Sequence, residues 1–195
     1  MAKKESTLKN MLIALMVIAI VSGGVLGFVY NLTKPAIDQV EANKNLRAIN
    51  EVLKTDVEIV KTDTQVIDDL TYNLAYDVDG NFIGAAVKTY SMNGFGGKVE
   101  LMVGMLKNGI INKVSILSQA ETPGLGANMV NDKFKGQFDG KDPKTFTLKV
   151  KKDGGDVDAI TAATISSRAV SEAIDKAVKG FESNINQFMK GGDNE

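Results

Sequence analysis

Cysteine and histidine are both absent from this 195-residue sequence, and each absence removes whole classes of chemistry. Without cysteine there is no disulfide, no thiolate nucleophile, no lipid attached through cysteine and no cysteine-ligated iron–sulfur cluster. Without histidine the commonest general base, zinc ligand and haem ligand are missing. Any redox chemistry must therefore rest on an organic cofactor. An excess of positive charge is lacking too: the net charge of −1 gives nucleic-acid binding no electrostatic basis. What is present suits a folded chain, with 44% apolar and 24% charged residues. The length suits one domain and a small appendage.

The longest stretch without charge is Met11–Tyr30, MLIALMVIAIVSGGVLGFVY. As a helix it covers about 30 Å, the hydrocarbon thickness of a bilayer. Gly23, Gly24 and Gly27 are acceptable in a membrane helix, and Tyr30 suits the interface at its end. A cleaved signal peptide normally has a shorter apolar region and a small-residue cleavage site. The run here ends Gly27-Phe28-Val29-Tyr30, so an anchor is the better reading. Lys3, Lys4 and Lys9 precede the span, whereas Asn31, Lys34 and Asp38 follow it. That bias predicts a single-pass protein of the cell (inner) membrane. Residues 1–10 would be cytoplasmic, 11–30 transmembrane, 31–56 a helical connector and 57–195 an extracytoplasmic (periplasmic) domain. The span holds no acidic cluster, so nothing in it points to ion conduction by this chain.

After Pro35, placed in the first turn of the connector, Ala42, Leu46, Ile49 and Leu53 mark one helical face. Beyond Asp56 the period falls toward two. Tyr72, Leu74 and Tyr76 alternate with polar residues, Asp79-Gly80 signals a turn, and Phe82–Tyr90 supplies a partner strand. Val99–Leu106 and Ile110–Leu117 flank a second turn at Lys107-Asn108-Gly109. Asn93–Gly97 reads as a flexible loop between the hairpins, Asn128–Phe138 as a short helix and Thr145–Val150 as a strand. The final helix is marked by Ile165, Ala169, Val170, Ala173, Ile174, Ala177, Val178, Phe181, Ile185 and Phe188, with Gly191-Gly192 as its stop. The pattern predicts an α+β fold: a transmembrane helix, then an antiparallel sheet with packed helices.

Three segments offer chemistry. Asp158-Ala159-Ile160-Thr161-Ala162-Ala163-Thr164, followed by Ile165-Ser166-Ser167-Arg168, gathers hydroxyls where the final helix should begin. Free N–H groups and the helix dipole make such a start a phosphate site. It equally suits a plain helix start, with Thr161 or Thr164 as N-cap and the serines on the surface; physics alone favours this plainer reading. Glu121-Thr122-Pro123-Gly124-Leu125-Gly126 builds a tight turn that a flat ligand can approach, or simply joins a strand to a helix. Gly94–Gly97 offers the same choice. Lys149, Lys151 and Lys152 could meet a phosphate but read as solvated charges. Tyr90 and Phe95 could stack on a ring but read as packing.

Taken together, and in this order, Gly94-Phe95-Gly96-Gly97, Glu121–Gly126 and Asp158-x-x-Thr161-Ala162-Ala163-Thr164 resemble the covalent-FMN-binding domain family. The resemblance extends over essentially the whole chain. It is nearest to the RnfG branch, from Rnf ion-translocating electron-transport complexes, with the NqrC branch of sodium-pumping NADH:quinone reductases as a relative. The resemblance implies FMN esterified through its phosphate to Thr164, attached by a separate flavin transferase that draws on FAD. It implies that Glu121, Thr122, Leu125 and Gly126 line the isoalloxazine, and that Asp158 and Thr161 belong to the signature read by the transferase. It further implies electron transfer between ferredoxin and NAD coupled to sodium or proton translocation, with the other Rnf subunits as partners. The family pattern has glycine where this chain has Ala162. That departure leaves an anchored binding or sensory domain without flavin as an alternative, beside the quinone-reductase branch.

Overall fold

The structure, a computed structural model, describes residues 7–54 and 59–190. The chain divides into two compact units, residues 1–44 and 45–195. The expected connector end at residue 56, the Gly191-Gly192 stop, Lys3 and Lys4 lie outside the described residues.

Helix α1 runs unbroken over Leu8–Val52. It contains one segment long and apolar enough to cross a membrane, none of it buried against the protein. Pro35 is not a helix start, as expected from sequence, but lies inside α1. There it forgoes the hydrogen bond a proline cannot donate, to the carbonyl of Asn31. The last turns of α1 belong to the second unit and contact its sheet. Their buried face is Ala48, Val52 and Leu53 with Ile49 beside it, whereas Leu46 of the expected stripe is 59% exposed.

Five antiparallel strands follow in a meander whose spatial order is the chain order: β1 Lys61–Ile67, β2 Leu70–Tyr76, β3 Phe82–Gly94, β4 Gly97–Leu106 and β5 Ile111–Ser118. The expected hairpins form at Gly80 and Gly109, both with positive φ. Strand β1 was not anticipated, because its KTDTQVI sequence lies mostly exposed on the sheet edge and shows no apolar alternation. The segment 93–97 is no slack loop: β3 and β4 pair as far as Gly94↔Gly97, making it the tip of a long hairpin. Thr145–Val150 is not a strand; its only ladder contact is a bridge from Val150 to Val157. The expected helix at 128–138 is broken into 3-10 turns at Gly126–Val130 and Gly136–Phe138 around α2, Asp132–Lys135.

The sheet buries both faces. Tyr72, Leu74, Tyr76, Ala85, Val87, Leu101, Val103 and Met105 point to the main core. It is closed by α3, Thr164–Lys190, through Val170, Ile174, Ala177, Phe181 and Phe188. Ile165 of the expected stripe is 48% exposed. The opposite face carries Ala75, Ala86 and Met102, which meet Ala48, Val52 and Leu53. Small residues are needed there: Ala86 pairs with Gly104, and a Cβ on Gly104 would strike the carbonyl of Val52. Asn112 Nδ2 donates to that carbonyl (2.7 Å) and to Lys54 O (3.2 Å), taking up orphan acceptors at the helix end.

Candidate functional site

The start of α3 is built to leave donors free. The N–H groups of Thr164, Ile165 and Ser166 have no hydrogen-bond partner among the described residues; the first helical bond is Ser167 N–H to Ala163 O, 3.1 Å. Neither Thr161 nor Thr164 caps the helix. The serines are not on the surface: Ser166 and Ser167 are buried. The Ser167 hydroxyl accepts from Ile160 N–H (2.9 Å) and donates to Ala163 O (3.0 Å), which ties the turn ahead of α3 to its first turn. Within this turn Ala162 has φ +59°, a left-handed conformation that glycine tolerates better.

The hexapeptide folds as a tight turn for a legible reason. Pro123 pre-sets its own φ, and Gly124 supplies φ +80° at the next position, while Leu125 N–H donates to Thr122 O at 3.1 Å. Glu121, just before this turn, is buried, and both its oxygens are engaged. Oε1 accepts from Gly96 N–H (3.0 Å) and Oε2 from the Ser166 hydroxyl (2.6 Å). One carboxylate thus joins the hairpin tip, the hexapeptide and α3. The glycines make room for it. A Cβ on Gly94 would lie 2.7 Å from Glu121 Oε1, and one on Gly126 would collide with Glu121 and Ser166.

Around this junction lies a cleft of about 340 Å³ lined by Phe95, Glu121, Thr122, Leu125, Gly126 and residues 162–166. Five of the seven sequence-predicted site residues, Glu121, Thr122, Leu125, Gly126 and Thr164, therefore share one cleft. The Thr164 hydroxyl makes no hydrogen bond among the described residues. Asp158 and Thr161 lie apart, in a neighbouring cleft of about 440 Å³ with Asn128, Asn131 and Lys133; Leu125 and Ala162 line both. The Asp158 side chain is exposed and pairs with Lys151 at 2.8 Å. Its backbone N–H and C=O are held by the Gln137 amide, at 2.8 and 3.2 Å.

Phe95, 71% exposed, edges the first cleft. Tyr90 does not; its ring lies between Lys98 and Lys176, whose Nζ atoms are 4.7 and 4.4 Å from its centroid. Arg168 is taken by Asp153 through bonds of 2.7 and 2.8 Å, and these hold the Asp153 carboxyl below the usual carboxylate range. A larger cleft, about 730 Å³, runs along α3 from Arg168 to Glu182. Its lysines and arginine are offset by acids and it brings no two of the three motifs together, so size does not make it the site. Sequence reasoning missed Ser166 and Gln137. For Ser166 the helical period was an available signal, since it is not on the exposed face.

An FMN-binding domain model matches residues 94–179, and an RnfG N-terminal region model matches residues 1–52. The G subunit of the proton-translocating ferredoxin:NAD(+) oxidoreductase complex of Clostridium ljungdahlii is 35% identical over 162 residues, 82% of this chain and 83% of the relative. The G subunit of the ion-translocating oxidoreductase complex is 32% identical in Methanosarcina acetivorans, covering 90% of this chain and 94% of the relative. In Vibrio cholerae it is 37% identical, covering 88% of each. Among solved structures, the C subunit of the sodium-translocating NADH-quinone reductase of Parabacteroides distasonis superposes with a TM-score of 0.56 at 20% identity, over 75% of this chain and 94% of the other. That likeness shows a common fold. Residues 94–179, which hold β4, β5, the cleft and much of α3, thus match an FMN-binding domain. With its N-terminal helix region, the chain belongs to the RnfG family of ion-translocating oxidoreductase complexes.

Proposed function

We propose that this chain is the membrane-anchored flavin subunit of an ion-translocating oxidoreductase of the ferredoxin:NAD type, with FMN esterified through its phosphate to Thr164. The observation that carries this reading is the meeting of an unbonded Thr164 hydroxyl with three free N–H groups at the mouth of a glycine-cradled cleft. The residues present fit the group. The helix start suits a phosphate. The cleft falls within the volume range of small-molecule sites. The lack of a side chain at Gly126 leaves room for the Glu121 and Ser166 side chains that brace the cleft wall. When bound, the flavin supplies the electron chemistry.

This chain's residues position the cofactor. Ile165 and Ser166 N–H groups would hold the phosphate, and Thr122, Leu125 and Gly126 would shape the ring pocket that Glu121 braces. A flavin transferase drawing on FAD would leave the phosphate ester on Thr164 Oγ1, with AMP as the leaving group. The hydroxyl proton leaves to a separate transferase, because the chain has neither histidine nor cysteine to take it. The transferase reads Asp158 and Thr161 from the neighbouring cleft, where the Gln137 clamp fixes the backbone it meets. The apolar segment of α1 anchors the chain in the cell membrane. Residues 1–10 are cytoplasmic, and the domain faces the extracytoplasmic side, where a covalent tether prevents loss of the flavin. Other members of the complex supply the electron donor and acceptor.

The test is the intact mass of the full chain after co-expression with a flavin transferase. Wild type should gain one FMN moiety and Thr164→Val none. An unmodified wild type, beside a modified control substrate, overturns the reading.

A further inference from the structure

Glu121 is expected from the family resemblance to line the flavin, yet both of its oxygens are already bonded within the protein. The partner that closes this arrangement is Ser166, two residues beyond Thr164 on the inner side of the first turn of α3. A serine in a helix commonly donates to its own i−4 carbonyl. Ser167 does so toward Ala163 O, whereas Ser166 donates across the cleft to Glu121 Oε2 at 2.6 Å. That is the short O–H···O⁻ geometry of a charge-assisted bond. Glu121 Oε1 in turn fixes Gly96 N–H at the hairpin tip, and Gln119 Oε1 accepts from Glu121 N–H at 2.6 Å. Gly94 and Gly126 crowd the same carboxylate so closely that neither position has room for a side chain. Two loops and a helix start, far apart in sequence, therefore have one common fastener, and the hydroxyl of Ser166 closes it.

We propose that Ser166 is a positioning residue: by holding Glu121 it locks the hexapeptide and the hairpin tip onto α3, so the flavin pocket stands preassembled and the ring is held at one fixed attitude to its attachment point. The second clause rests on the proposed function; the first does not. The Ser166 hydroxyl is spent on Glu121 and meets no reacting atom. It acts through Glu121, and the pocket wall it holds is Thr122–Gly126.

The test uses the full-length protein in detergent, before and after treatment with FAD and a flavin transferase. Ser166→Ala removes only the hydroxyl, and alanine is a strong helix former, so α3 should persist. In the unmodified protein, hydrogen exchange at the Gly96, Leu125 and Ala127 amides should quicken roughly tenfold or more, while amides in the middle of α3 keep their rates. In a Glu121→Gln background the same substitution should add much less, because the two side chains act as one unit. In the protein that carries flavin, the visible flavin spectrum and the midpoint potential should shift from those of wild type. Unchanged exchange at those three amides overturns the lock. Altered exchange with an unchanged spectrum and potential overturns the effect on the flavin. If wild type accepts no flavin, the proposed function and the flavin clause fall together, and the exchange rates still decide the lock.

Discussion

Replacing Ala162 with glycine should stabilise this protein, against the general rule that glycine loosens a fold. The reasoning starts from its φ of +59°. An L-residue in the left-handed region is disfavoured by about 1–2 kcal/mol through the clash of its Cβ with the backbone. Glycine removes the clash but adds about 0.4–1 kcal/mol of unfolded-chain entropy. Ala162 is exposed, so little apolar burial is lost with its methyl. The balance favours glycine by about 0.5–1 kcal/mol, which in a domain of this size raises Tm by about 1–4 °C. Thermal melting of the full chain in detergent, followed by circular dichroism, reads the shift. Ala163→Gly is the control one residue on: its methyl is buried and its φ is not positive, so Tm should fall. A melting point for Ala162→Gly that is unchanged or lower would refute the strain argument. On the proposed function, flavin attachment supplies a second reading, since a turn relieved of strain should present Thr164 to a transferase at least as well as wild type does.

Gly126→Ala should do the opposite, because its Cβ meets the Glu121 and Ser166 side chains. Overpacking of this kind costs about 1–3 kcal/mol, and mass spectrometry should show flavin incorporation falling with it. Glu51 sets an acid limit. Burial raises its pKa, but hydrogen bonds from Lys135 and Ser115 outweigh this and hold it below its ordinary value of 4.5. The folded state therefore binds fewer protons than the unfolded one, and this contribution to stability is present above pH 4.5 and lost as pH falls through the lower folded value. Chemical denaturation at stepped pH should show Glu51→Gln with a flatter acid slope than wild type; equal slopes would remove Glu51 from the account.

Turn chemistry made much of the fold legible. Asp79-Gly80 and Asn108-Gly109 announced two hairpins because the required positive φ selects those residues. The apolar face of α3 was visible at helical spacing from Ala169 to Phe188. Strand β1 was hidden because an edge strand exposed over most of its length has little need of alternation. Thr145–Val150 misled in the other direction: its alternating residues lie in turns and a single bridge, with Val150 and Leu148 buried from an irregular backbone. At the site, the glycines were readable as turn makers but not as clearance around Glu121, since that role depends on side chains 25 to 45 residues away along the chain. The bond from Ser166 to Glu121 was unreadable for the same reason, although the spacing of Ser166 to Val170 and Ala173 does put it on the buried face of α3.

The neighbour-by-neighbour order of the sheet has a consequence for how the protein comes into being. Each strand finds its partner in the segment made just before it, so the meander can zip up progressively with little loop-closure entropy at each step. Helix α3 comes last and supplies both the lid of the main core and one wall of the cleft. The pocket is thus finished only when α3 docks on the sheet that precedes it. Completion of folding and readiness for the cofactor become the same event, and a transferase that needs the cleft's geometry would leave unfinished chains unmodified.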